Sequence, residues 1–474
     1  MKFSMKNGIV LAVVALCLLA PAGVFAQDQS QPVAGAPAQT AAQTVPVASD
    51  SILALFKDAP AAEQEMVKNS EVLIAQGKWA SAWKLLAEAD PENANPYLVA
   101  EKIRISLDGY AQTAMHVAFM FADLPEGTDL ATLRNEGSTE PTEPVDFSPS
   151  TIASAFEEKG TELPPVLSYM LGNYYYEVWK NYQGQWLLDD ATVLKDGATE
   201  FERAYAYELY TPQSLDRYSE ILIATESWGG AKAVTLKALE NDPENLALTL
   251  RLANAYYGLG EYDSVPALAD KVIADKNNRE QLANGYIVGI KAGLALSDRN
   301  VLDVYLDGFE LDFPQDYFPG LVRHLAAVNL GDRAAADDAA DAVTASFPGD
   351  PDVIPSVVST WLSAGDTTSA FNYINRNLVK EQPDEGYAAL YFYRALLNME
   401  IDQSAGRLTQ ALSDIAKAED YFKKSYPAGH QIFDMINSMK KEWGDMLVNA
   451  KAAKAPADQN ATGADATSSA TATE

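Results

Sequence analysis

Apolar residues recur through the middle of this chain at helical spacing, three and four positions apart, in runs of about a dozen residues. From Thr249 to Gly260, Leu252, Ala253, Tyr256 and Leu259 share one face, and Gly260-Glu261-Tyr262 then breaks the helix. A second amphipathic run, Ser264 to Ala274, ends at Asp275-Lys276-Asn277. Two short helices joined by a tight turn predict an antiparallel hairpin, with small residues at the crossing so that the backbones can approach. The pattern has a period. Pro243, Pro314, Pro348 and Pro383 stand 71, 34 and 35 positions apart, and Asn277 marks the midpoint of the long gap. Each mark lies in a short polar turn, as in Asn241-Asp242-Pro243-Glu244-Asn245. A period in the range of about 20–50 residues means stacked supersecondary units.

The unit resembles the tetratricopeptide repeat, a helix–turn–helix with a Leu-Gly pair followed by Tyr, then Ala, an aromatic and a closing Pro. Ser168-x2-Leu171-Gly172-x2-Tyr175 keeps the Leu-Gly-Tyr part, and Thr249-x2-Leu252-Ala253-x2-Tyr256 keeps it with alanine for glycine. Gly77-Lys78-Trp79 with Ala82 and Leu86, Gly331 with Ala336 and Ala340, and Gly365 with Ala370 and Ile374 supply turns and second helices. Gly197, Phe201 and Ala204 fit a second helix ahead of Pro212. The resemblance implies an all-α fold, a right-handed α-solenoid of about nine hairpins closed by a C-terminal capping helix from Gln431 to Asn449. Three places depart from the motif. Arg323-His324 stands where a Leu-Gly pair is expected, extra residues surround Gly184 to Asp196, and the unit from Glu385 to Pro427 is too long.

Outside the repeats the patterning changes. Lys2 and Lys6 precede an apolar run from Ile9 to Leu19 and the small-x-small site Val24-Phe25-Ala26, which predicts a signal peptide over 1–26. That run, as a helix, reaches only about 16 Å against a hydrocarbon core of roughly 30 Å. An exported chain without stable membrane insertion is expected, periplasmic in the first reading and secreted in the alternative. Residues 27–50 read as a disordered linker and 451–474 as a disordered tail, both too poor in large apolar residues to offset chain entropy. Between them lie hairpins over 51–123, a Pro- and acid-rich insertion over 124–163, and the main solenoid with its cap over 164–450.

Composition narrows the function. Lys and Arg total 35 against 66 Asp and Glu, a formal charge of −31, which opposes nucleic acid and anionic lipid as partners. The single cysteine, Cys17, falls inside the signal segment, so the mature chain has no disulfide, thiolate nucleophile or zinc–sulfur site. His116, His324 and His430 belong to different units, and no H-E-x-x-H, P-loop, Gly-x-Ser-x-Gly or Gly-x-Gly-x-x-Gly occurs. Ser81-Ala82-Trp83-Lys84 matches Ser-x-x-Lys, but its companions Ser-Asp-Asn and Lys-Thr-Gly are missing. No catalytic residue, metal site or cofactor is expected. Asp337, Asp338 and Asp341 share one helical face, read as solvated.

Two surfaces remain as candidates. Tyr175, Tyr176, Trp179 and Tyr182 form the densest aromatic stretch, read either as a wide core or as a platform for a peptide, glycan or small ligand. The resemblance implies an inner groove lined by the first helices of successive units. By that reading Asp216, Glu220, Asn254, Tyr257 and Lys291 face it and suit a basic or amide-rich extended ligand. The leading expectation is a non-enzymatic exported scaffold that binds a protein or peptide partner in the cell envelope. The alternative is a ligand-binding component of a periplasmic solute-uptake system, with an aromatic-lined pocket.

Overall fold

The computed structural model describes residues 49–136 and 144–452. The expected signal peptide, nearly all of the linker and the tail from 453 lie outside them. The described residues are all-α apart from one small sheet, and their plan is the α-solenoid plan of stacked helix hairpins. Contacts divide it into two compact units, one running to Tyr305 and the other beginning at Leu306.

The first unit opens with α1 (Ser49–Leu55), α2 (Ala61–Ile74), α3 (Trp79–Ala89) and α4 (Pro96–Asp108). After an insertion it continues with α7 (Pro165–Tyr182), α8 (Asp190–Ala206), α9 (Pro212–Ala224), α10 (Trp228–Asn241), α11 (Leu246–Gly258), α12 (Val265–Ala274) and α13 (Arg279–Leu296). Helix α14 (Arg299–Asp312) carries the boundary. The second unit holds α15 (Phe318–Asn329), α16 (Arg333–Ser346), α17 (Val353–Ser363), α18 (Thr367–Leu378), α19 (Asp384–Ile401), α20 (Ala405–Ser425) and the cap α21 (Gln431–Ala452). Nine first helices recur among the described residues: α2, α4, α7, α9, α11, α13, α15, α17 and α19. All but α4 pair with the helix that follows.

The polar residues near the periodic prolines work as helix caps. Asn245 Oδ1 accepts from Leu248 N at 3.1 Å, Asp366 Oδ1 from Ser369 N at 2.9 Å, and Thr211 forms a reciprocal capping box with Ser214 ahead of Pro212. The hairpin turns need a left-handed residue, and Gly260 and Gly331 supply it at φ +76° and +71°. Where helices cross, side chains are small. A Cβ on Gly172 would lie 2.7 Å from the Phe201 ring, and Ala253, Ala336 and Ala370 are wholly buried. The divergent unit solves the crossing differently. His324 is buried at that place and its Nδ1 bonds the Ala336 carbonyl at 3.0 Å. The extra length near Gly184 and after Glu385 is mostly helix: α7, α19 and α20 run 18, 18 and 21 residues.

The insertion replaces the second helix of α4. It folds as β1 (Gln112–Ala114), β2 (Ala118–Met120), α5 (Leu130–Glu136), β3 (Val145–Asp146) and α6 (Pro149–Glu158). The strands are antiparallel in the order β1-β2-β3, with Thr113 opposite Phe119 and Phe119 opposite Val145. Phe119, Phe121, Phe147 and Phe156 are buried in one core with α2–α4 and α7. Trp83 stacks on Phe121 at 4.5 Å and meets Phe147 edge-on at 5.0 Å. The strand segment therefore does the packing a helix would have done. Phe147→Ala is expected to destabilise the protein by about 3–5 kcal/mol, the usual loss for a buried aromatic. Urea unfolding followed by far-UV circular dichroism checks it, and a parental midpoint would place Phe147 outside the core.

Candidate functional site

Successive first helices touch one another through α7, α9, α11 and α13, whereas second helices mostly touch only their sequence neighbours. The first helices are thus the closely packed layer, and their shared face is the candidate site. Arginines bridge it. Arg217 of α9 donates from Nη1 to Asn173 Oδ1 of α7 at 2.8 Å and pairs closely with Glu177. Arg251 of α11 pairs closely with Asp216 of α9 and reaches Glu220 at 3.1 Å. Between α2 and α4, Arg104 does the same with Glu71 and with the fully buried Glu101, at 2.7 and 2.9 Å to the latter.

Of the five residues expected on this face, Asp216 and Glu220 are already engaged. Glu220 also accepts from Tyr176 Oη at 2.7 Å and Lys180 Nζ at 2.9 Å. Burial would raise its carboxyl, but Lys180, Arg251 and Tyr176 together outweigh burial and hold it below the ordinary glutamate range. Asn254, half-buried, donates to the Leu250 carbonyl of its own helix at 3.0 Å. The Tyr257 ring lies 5.3 Å from Tyr262 in the hairpin turn. Lys291 is half-buried with no carboxylate beside it among the described residues, and burial pulls its ammonium below the usual lysine range. Among the described residues the arginine bridges run from α7 to α11, and none of them reaches Asn254, Tyr257 or Lys291.

Arg217 and Arg251 were missed by the motif reading, although a signal existed. They stand 34 positions apart, as do Glu220 and Asn254, so each pair occupies one place in consecutive repeats.

The aromatic stretch divides among three surroundings. Tyr175 is buried, its neighbours Tyr174 and the Gly197 crossing. Tyr176 belongs to the bridged row, and Trp179 is half-buried with its ring 6.0 Å from Tyr176 and 5.2 Å from Lys180 Nζ. Tyr182 faces the insertion. The β1–β2 turn places both Met115 and His116 at φ +52°, a conformation that favours Asn-Gly. Side chains of α7 and its turn hold it there. Trp186 Nε1 donates to the Met115 carbonyl at 2.8 Å, Tyr174 Oη to the His116 carbonyl at 2.9 Å, and Tyr182 Oη meets His116 Nδ1 at 2.8 Å. Burial, with the Arg134 charge adding to it, pushes His116 down to about 4.

Other sequence candidates find structural partners. Ser81 bonds Asp123 through its hydroxyl at 2.7 Å, and Lys84 lies in solvent near Glu88. The acidic face of α16 is not simply solvated: Arg376 of α18 pairs with Asp337 and Asp341, and Lys380 also reaches Asp341. Among the described residues no three His, Cys, Asp or Glu gather as a metal site, and no helix is long and apolar enough to cross a membrane.

No protein-family model matches the sequence, and no curated protein does. Among solved structures, the chain is similar to a tetratricopeptide repeat protein from Parabacteroides merdae ATCC 43184, at 15% identity and a TM-score of 0.34, covering 58% of this chain and 99% of that one. It is similar to PilW, a type IV pilus biogenesis factor, at 17% identity and a TM-score of 0.27, over 47% and 97%. It is also similar to yeast Tom70, at 13% identity and a TM-score of 0.30, over 86% and 84%.

The bridges make a pH-dependent prediction. Glu220 is depressed in the folded state, so its contribution is complete above its unfolded value and disappears as pH falls through the folded one. Arg251→Ala is expected to cost about 1–3 kcal/mol at neutral pH, and the gap to the parent should narrow as Glu220 protonates. Urea melts from pH 7 to the acid limit of the fold check this. A gap that does not change with pH would remove Glu220 from the account.

Proposed function

We propose that the chain is a non-enzymatic, exported scaffold that holds a protein or peptide partner in the cell envelope along the face of its first helices. The observation that carries this reading is the row on α7, α9 and α11. Its arginine bridges order one part of the face and leave Asn254, Tyr257 and Lys291 beyond them. A face of packed helices with fixed polar side chains binds an extended segment with little ordering cost to itself. Because Arg251 and Lys180 together neutralise Asp216 and Glu220, a basic ligand gains less from them than the bare sequence implies. An amide-rich segment, bonding beside Asn254 with its apolar parts against Tyr257, fits better. The N-terminal segment, with Lys2, Lys6 and the apolar run to Leu19, supports export.

Crosslinking in the native envelope, followed by mass spectrometry of what co-purifies, tests the proposal. One or two reproducible protein partners are expected, and they should be lost in the Asn254→Ala/Tyr257→Ala double variant at parental melting temperature. Retention of the same partners by that variant would contradict the proposed face. A small molecule retained without any protein partner would favour the solute-uptake reading instead.

A further inference from the structure

We infer that the cleft between α18 and the α19/α20 hairpin is a binding site for a small carboxylate anion, recognised chiefly by Arg407. Phe371 of α18, Arg394 and Asn398 of α19, and Gly406, Arg407 and Gln410 of α20 line it. The cleft is open to solvent and offers about 410 Å³, room for a small dicarboxylate.

Its two arginines are in different states. Arg394 grips the fully buried Asp414 side-on, from Nε at 2.9 Å and Nη2 at 2.7 Å, and its Nη1 bonds Asn375 Oδ1 at 3.0 Å. Gln410 adds a bond to Asp414 at 3.0 Å. Arg394 is thereby neutralised and acts as a strut. Arg407 is positioned too, and its ion pair, with Asp402, is a long one near the surface. Asn398, also fully buried, donates to the Arg394 carbonyl at 3.0 Å and accepts from Arg407 Nη1 at 2.8 Å. The Arg407 guanidinium lies 5.5 Å from the centre of the Phe371 ring. Its nearest carboxylate, Asp402, is 3.9 Å from Nε, beyond hydrogen-bond reach, and about half exposed to solvent.

A guanidinium carries five N–H donors in a planar fork. Here one of them is bonded to a protein acceptor, through Asn398. The fork is therefore held between an aromatic ring and a buried amide, with donors left for an incoming acceptor. Gly406, without a side chain, leaves the first turn of α20 open beside it, where the helix dipole favours negative charge. The planar fork suits a planar carboxylate, which can take two parallel N–H donors from it. The chain's overall charge of −31 repels anions at long range, so recognition has to come from this local geometry.

The probe is succinate, titrated into the full chain by isothermal calorimetry, with inorganic phosphate and the neutral diamide succinamide in parallel. Saturable succinate binding with a Kd near about 1 mM is expected. Arg407→Ala should weaken it about tenfold or more, the loss of a charged bidentate contact. Gly406→Val should weaken it comparably by filling the mouth of the cleft. The only other side chain near a Cβ at Gly406 is Ser404, at 4.0 Å, so this variant tests the site even if Arg407→Ala unfolds. No saturation by about 10 mM succinate, or parental affinity in Gly406→Val, overturns the site. Phosphate or succinamide binding as tightly as succinate overturns the assignment to carboxylates.

Discussion

Each hairpin of this protein depends on two helices approaching closely enough for their backbones to nest. Gly172 meets the face of Phe201, Gly289 meets Tyr305, and Gly293 lies against the backbone of Leu302. Ala253, Ala336 and Ala370 are without solvent exposure at equivalent crossings. Once the crossings are fixed, large residues on either side fill the space beside them, and each layer of first helices has a defined spacing. That spacing brings Arg217 within reach of Glu177 and Arg251 within reach of Glu220. The polar face is a consequence of the packing beneath it.

The same constraint explains how the array absorbs irregularity. Where α4 has no second helix, a three-stranded insertion pushes Phe119, Phe121 and Phe147 into the space a helix would occupy. Its β1–β2 turn is strained, with two non-glycine residues at positive φ, and it stays in place because Tyr174, Tyr182 and Trp186 bond to it. Much of the aromatic density of α7 therefore serves the chain's own insertion. Arg394 and Asp414 perform a comparable task in the long last hairpin, where a buried ion pair, completed by Asn398 and Gln410, spans two helices.

The hairpins were legible because two periodicities coincide: apolar spacing within a helix, and turn or cap residues once per repeat. Asn245 was visible within a polar turn for that reason, and Gly77, Gly260, Gly331 and Gly365 as turns, whereas the capping role of Thr211 came only with the fold. The insertion was less legible. Short strands such as Val145–Asp146 have no period to read, and Phe147 and Phe156 look like scattered aromatics until the fold brings them to Trp83 and α7. The polar face was less legible. The resemblance implied a groove lined by Asp216 and Glu220, but whether a carboxylate is free or bridged depends on a neighbour one repeat away. Reading Arg251 against Arg217 would have revealed it.

The close crossings are the claim on which the rest stands, and overpacking tests them most directly. Thermal and urea unfolding of Ala253→Arg and Ala336→Arg would each be compared with the parent. The account predicts that both lose at least about 1–3 kcal/mol, because neither site has room for a larger side chain. If both variants unfolded at the parental midpoint, the register of the hairpins, and the polar face built on it, would be wrong.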